Sequence, residues 1–196
     1  MEDSRNHILQ IALQLFLEKS YKAVTFQELR EKTGFSQGAF FYYFKNKQQI
    51  FEGVMDMYLD EFAAVDFSQI PQKSLRGFLN AYFPEANRMR AGLFTREVVS
   101  AANRYALMFE ALRTIPDLKI KINRHEDKVE AAWIRIIKAA RKNKEIKTAL
   151  SDEQLARLFI DASHGIVIHL IMTDNTIAME KEISAAWNNL YLLIKA

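Results

Sequence analysis

The sequence predicts an all-α fold: a small three-helix domain carrying a helix-turn-helix, followed by a larger helical domain. Three observations carry this. Apolar residues recur at three- and four-residue spacing through most of the 196 positions. No alternating pattern long enough for a useful strand interrupts them. Three helix-start signals crowd into the short stretch from Thr25 to Asn46, which calls for short helices and tight turns.

The elements follow in order. Asp3 or Ser4 can start a first helix whose apolar face is Ile8, Ile11, Ala12, Leu15 and Phe16. Thr25 can cap a second, with Glu28 completing a capping box and Val24 and Leu29 closing a hydrophobic staple. Phe26, Leu29 and Thr33 face inward, and Gly34 can take the left-handed conformation that stops a helix. Ser36 offers the next cap, with Phe35 and Phe40 in the staple positions; Asn46, with Gln49 after it, offers a third. Ile50, Val54, Met57, Tyr58 and Phe62 form the stripe of a long fourth helix. The pattern breaks over 66–74, which contains Pro71, so the expected division is 1–48 with a connecting helix to about 65, then 66–196. Further helices are expected over 74–90, kinked or split by Pro84, and over 94–114 and 118–144, separated by Pro116. Ser151, with Asp152 and Glu153 in the first turn, starts another, and Asn175 and Thr176 precede the last, 177–194.

Residues 25–44 hold the chemical signal. Gln37, Gly38 and Ala39 are small or amide residues at the exposed start of the second short helix, where a backbone must approach a partner closely. Two short helices around a glycine-containing turn are the pattern of a helix-turn-helix, whose second helix enters the DNA major groove.

Thr25, then 34–38 (Gly-Phe-Ser-Gln-Gly), then 40–44 (Phe-Phe-Tyr-Tyr-Phe), then Asn46-Lys47, together with the helix from Ile8 to Leu17, resemble the DNA-binding domain of the tetracycline-repressor (TetR) family of bacterial transcriptional regulators. The resemblance covers a quarter to a third of the chain, and the remainder agrees only in length and helical pattern. It implies a homodimeric, ligand-responsive regulator, most simply a repressor, on a palindromic double-stranded operator. Thr25, Ser36, Tyr42, Tyr43 and Lys47 would contact phosphates, with Gly38 and Ala39 letting the backbone approach. Gln37 would read a base, because its amide can pair with adenine in two places. Phe41 stands where many members carry a tyrosine whose hydroxyl reaches a phosphate.

The resemblance also implies an effector pocket in the middle helices, for which Phe78, Tyr82, Phe83, Phe94, Tyr105, Phe109 and Trp133 are the aromatic candidates. The effector itself is unknown. His164 joins them as half of an Asp161–His164 pair, which otherwise reads as a hydrogen-bonded pair in the core or at an interface. Arg88, Arg90 and Arg96 could serve an anionic ligand but read as surface residues. The last two helices are apolar on more than one side, and a helix of that kind is buried on more than one side. In the family these helices pair across a dimer, which assigns Leu155, Phe159, Ile166, Leu170, Ile183, Trp187, Leu190, Tyr191 and Ile194 to the interface.

Composition agrees. The net charge is +3 and cysteine is absent, with a pI near 9.0. Lys22, Arg30, Lys32, Lys45 and Lys47 concentrate basic charge on the proposed DNA face. The basic stretch Arg135–Lys147 reads as the solvated face and end of an amphipathic helix. Residues 1–7 are polar and carry no apolar signal region, and the longest apolar run, 165–172, is too short to span a bilayer, so a cytoplasmic protein without membrane contact is expected. His7, His125, His164 and His169 show no two-histidine zinc spacing, and no phosphate loop or serine elbow is present, so neither enzyme activity, metal nor cofactor is expected. The competing readings are an all-helical binding protein or enzyme with no DNA role, and a DNA-binding protein that senses a partner protein.

Overall fold

The computed structural model describes residues 2–90 and 101–196, which form helices α1 (Glu2–Lys19), α2 (Phe26–Thr33), α3 (Gln37–Tyr43), α4 (Lys47–Ala63), α5 (Leu75–Arg90), α6 (Ala101–Thr114), α7 (Leu118–Lys142), α8 (Asp152–Met172) and α9 (Met179–Ile194). Single 3-10 turns cover Phe67–Gln69 and Thr176–Ala178. The only strand-like feature among the described residues is an isolated antiparallel bridge between Ile146 and Lys195.

The chain divides into two compact units, residues 1–62 with 95–121, and residues 63–94 with 122–196. The first is larger than the expected 1–48, because α4, α6 and the first turn of α7 belong to it. Its core gathers Leu9, Phe16, Leu29, Phe40, Ile50 and Phe51, all essentially inaccessible. Phe51 meets Phe16 edge-on at 5.4 Å and stacks on Tyr21 at 4.1 Å, the geometries aromatic pairs prefer. Helices α1 and α4 approach closely at Gly53, where a Cβ would stand 2.9 Å from Leu9 Cδ2.

The second unit packs around a run of large rings. Trp133 meets Phe78 and Trp187 edge-on at 5.0 Å each and stacks on Phe159 at 5.1 Å. Trp187 Nε1 donates to Phe159 O (3.0 Å) and Ser163 Oγ (2.8 Å), so the buried indole has its partner. Local chemistry fixes the helix ends. Glu145 accepts from the backbone N–H groups of Leu75 and Arg76, both at 2.8 Å, holding the start of α5. Ser151 and Gln154 form a reciprocal capping box on α8. Arg141 Nε donates to Asp152 at 2.6 Å and its other nitrogens reach the carbonyls of Thr148 and Leu150. That member of the basic stretch organises a turn, while Arg135, Lys138, Lys142 and Lys144 are exposed.

The expected split of α5 at Pro84 does not occur. Helix α5 runs unbroken through Pro84. Proline removes the N–H that would reach the carbonyl of Asn80 and crowds that carbonyl with its ring; both residues are exposed, so water can reach the freed carbonyl. Helix α8 as a whole is long and apolar by composition, with a window of mean hydropathy 1.5 of which 28% is buried, a pattern that the core helix of a soluble protein also shows.

Candidate nucleic-acid interface

The caps build the interface. Thr25 Oγ1 accepts from Glu28 N at 3.0 Å and starts α2. The Glu28 side chain takes the Lys19 ammonium at 2.6 Å, and that hydrogen bond, with a smaller contribution from the Thr25 backbone N–H, holds its carboxyl below the usual carboxylate range. Gly34, at φ +72°, ends α2 in the left-handed conformation, its N–H on Glu31 O. Ser36 Oγ accepts from Ala39 N at 3.3 Å and starts α3. Asn46 Oδ1 accepts from Gln49 N at 2.9 Å, and Gln49 Oε1 accepts from Lys45 N at 2.9 Å, so the third cap is also reciprocal, one residue earlier than expected.

Helix α3 buries Phe40 and leaves its other side in solvent. Gln37, Gly38, Phe41 and Tyr42 are exposed, and Ala39 and Tyr43 are half-buried. A Cβ on Gly38 would meet nothing within 4 Å, so its bare backbone is open to an incoming surface. Phe41 is 45% exposed; one side of its ring lies against Phe26 at 5.3 Å. Phe26 also packs edge-on against Phe40 at 5.0 Å, so α2 anchors both the buried and the open side of α3.

Two residues behave differently from the sequence reading. Lys47 Nζ donates to the carbonyls of Val24 (2.8 Å) and Tyr21 (2.9 Å) and lies 4.4 Å from the centre of the Tyr21 ring. The ammonium ties down the α1–α2 loop. Burial pushes its pKa below the ordinary lysine value, opposed by the Glu110 carboxylate. Arg30, read only as background charge, donates from its guanidinium to Gln37 Oε1 at 3.4 Å, at the long end of a hydrogen bond. A basic residue seven positions before Gln37 carries no recognisable spacing, so this pair is not legible in sequence.

Helix α6 grips the same loop. Asn103 Nδ2 donates to Leu17 O at 3.0 Å, and Glu110 accepts from Tyr21 N at 3.2 Å. Burial, with Glu110 and Glu52 nearby, raises the Tyr21 phenol. Lys121 pairs with Asp56, joining the first turn of α7 to α4.

The expected effector residues do not gather in one place. Tyr105 and Phe109 belong to the first unit, and Phe109 is exposed. Phe78 and Trp133 are buried in the ring cluster of the second unit, with Tyr82 and Phe83 packed against it. His164 and Asp161 are both exposed on α8. Phe94 lies outside the described residues, as does Arg96. Arg88 is exposed and pairs with Glu85. Of the expected set, Phe83 borders a cleft of about 320 Å³ between α5 and α9.

The expected interface residues divide by burial. Leu155, Phe159, Leu170, Ile183, Trp187 and Ile194 are buried within the chain's own second unit, and Ile166, Leu190 and Tyr191 are partly buried against that core. The apolar residues left open are different: Leu158, Ile168 and Met172 on α8, Leu192 and Leu193 on α9, and Ile177 just before it.

Caps, a left-handed glycine and a shallow exposed helix start define a helix-turn-helix protein. Residues 8–54 match the model of the bacterial regulatory proteins of the tetR family. The HTH-type transcriptional repressor ComR of Escherichia coli is 35% identical over 81 residues, 40% of this chain and 39% of ComR; the chain thus spans about two fifths of that curated relative's length. A TetR transcription regulator from Haloarcula marismortui has the same fold over all of both chains, with a TM-score of 0.75 at 15% identity. A regulator from Saccharomonospora viridis, solved in complex with choline, also covers all of both chains, with a TM-score of 0.71 at 14% identity.

Proposed function

We propose that this protein is a homodimeric transcriptional regulator, a ligand-responsive repressor acting in the cytoplasm on a palindromic operator. The observation that carries the reading is the open start of α3, where Gln37 and the bare Gly38 backbone stand beside exposed Phe41 and Tyr42 on a helix anchored from behind by Phe26 and Phe40. A side chain that reads a base needs a rigid support and an unobstructed approach, and α3 has both. Gln37 reads the base edge, with Arg30 orienting its amide oxygen. Thr25, Ser36, Tyr42 and Tyr43, with backbone N–H groups at the helix starts, take phosphates.

The second copy covers the open faces of α8 and α9. Leu158, Ile168 and Met172 recur along one side of α8, but Arg157, Asp161, His164 and His169 are exposed on the same helix. Lipid would desolvate those polar groups without a partner, whereas a protein surface can pair them. A twofold pair presents two recognition helices to two half-sites.

Response to a ligand runs through the loop before the helix-turn-helix. Glu110 and Asn103 of α6 hold that loop and the end of α1, so a ligand that favours another position of α6 shifts the population of DNA-competent dimers by its differential affinity for the two states. The relative solved with choline gives the ligand-responsive reading its support. Selection of bound sequences from a random DNA pool tests the proposal: enrichment of an inverted repeat is expected, and an unenriched pool contradicts it.

A further inference from the structure

We propose that the cleft between α5 and α9 is a binding site for a small organic carboxylate with an apolar body. Its volume, about 320 Å³, lies at the small end of ligand pockets, which run from about 300 to 1,000 Å³. The lining is divided by chemistry. Leu79, Phe83 and Pro84 supply an apolar wall, while Arg76, Asn80, Ser184 and Asn188 supply hydrogen-bonding groups.

Arg76 sets the charge. Its guanidinium lies 5.4 Å from the centre of the Tyr191 ring and donates to Asn188 Oδ1, which fixes its plane. Among the described residues it makes no ion pair with a carboxylate. Glu145, at the start of α5, spends its oxygens on the N–H groups of Leu75 and Arg76. A guanidinium has five donors in a rigid fork suited to a carboxylate, so most of the Arg76 fork remains to meet an anion. With Asn188 Oδ1 taken by Arg76, that amide offers only its N–H groups, and Asn80 and Ser184 add further donors. A single cation balances a single negative charge, which favours a carboxylate over a phosphate dianion, and the apolar wall requires a hydrocarbon body. Ser184 and Asn188 lie on α9, the helix that also carries the open Leu192 and Leu193. The inference rests on the ligand-responsive reading for its regulatory consequence alone; binding to the cleft stands on the lining.

Isothermal titration calorimetry of the full chain with octanoate, and with octanamide as the uncharged counterpart, tests it. Octanoate should bind saturably, and octanamide about tenfold or more weaker. Arg76→Gln should weaken octanoate by about tenfold or more, as expected when a charge-assisted pair is lost. Because Arg76 also rests on Tyr191, a second variant guards against loss of folding: Ser184→Leu fills the cleft from the α9 side without altering charge, and should abolish octanoate binding with an unchanged melting temperature. Equal binding of acid and amide, undiminished binding in either variant, or no octanoate binding to the wild type overturns the assignment. Operator binding measured without octanoate separates the two readings, since either result can fail while the other stands.

Discussion

At Gln37 the side-chain oxygen is held by Arg30, which leaves the amide nitrogen to reach outward. Gln37→Ala should cost about 1–3 kcal/mol on the best site and relax preference at one position per half-site, read by fluorescence anisotropy on a panel of single-base operator variants. Lys47 should behave in the opposite way. Its ammonium holds two carbonyls of the α1–α2 loop, so Lys47→Met should lower stability by about 1–3 kcal/mol, seen in urea unfolding, and leave the salt dependence of DNA binding unchanged. A smaller salt slope with unchanged stability would restore the phosphate role. Phe41 is half open to solvent, so Phe41→Tyr can place its hydroxyl outside the core. Affinity should tighten by about 0.5–1.5 kcal/mol with no loss in melting temperature; a melting loss without tighter binding would mean that the hydroxyl is buried unsatisfied.

Among the elements, the caps were legible from sequence because each is a local event: Thr25, Ser36 and Asn46 all bond the backbone N–H three residues on. The positive φ of Gly34 was legible for the same reason. Gly34→Ala meets no neighbouring atom but keeps that backbone conformation, so it should cost about 1–2 kcal/mol of stability by thermal melting. Side-chain destinations were less legible. Glu28 also pairs with Lys19, a cation nine residues away that no local spacing marks. On α8 and α9, periodicity marks apolar faces but cannot say which face meets the chain's own core and which a partner. Trp187 went to the core through its hydrogen bonds to Phe159 and Ser163, and Leu193 stayed 82% exposed. The two positions therefore separate by experiment. Trp187→Ala should cost about 3–5 kcal/mol of stability, whereas Leu193→Arg should leave the fold intact and yield monomers in sedimentation. A Leu193→Arg protein that remains dimeric would move the pairing surface elsewhere.

For the whole molecule, the all-helical class and the helix-turn-helix were legible because both are written in short-range patterns. The division into units was not: α6, at 101–114, packs with the N-terminal helices through Asn103 and Glu110, contacts that span more than eighty residues of sequence. Which rings line a void is illegible for a related reason, since a ring at helical spacing looks the same whether it lines a void or fills one; here Phe78 and Trp133 pack with Phe159 and Trp187, while Phe83 borders a cleft. The central claim, that α3 of each protomer docks on a half-site, is tested most directly by the salt dependence of binding to the selected operator. Three to five phosphate contacts per half-site amount to about six to ten for the dimer, so affinity should fall about a thousandfold or more between roughly 50 and 200 mM salt. A flat response, or no binding at the lower salt, would contradict it.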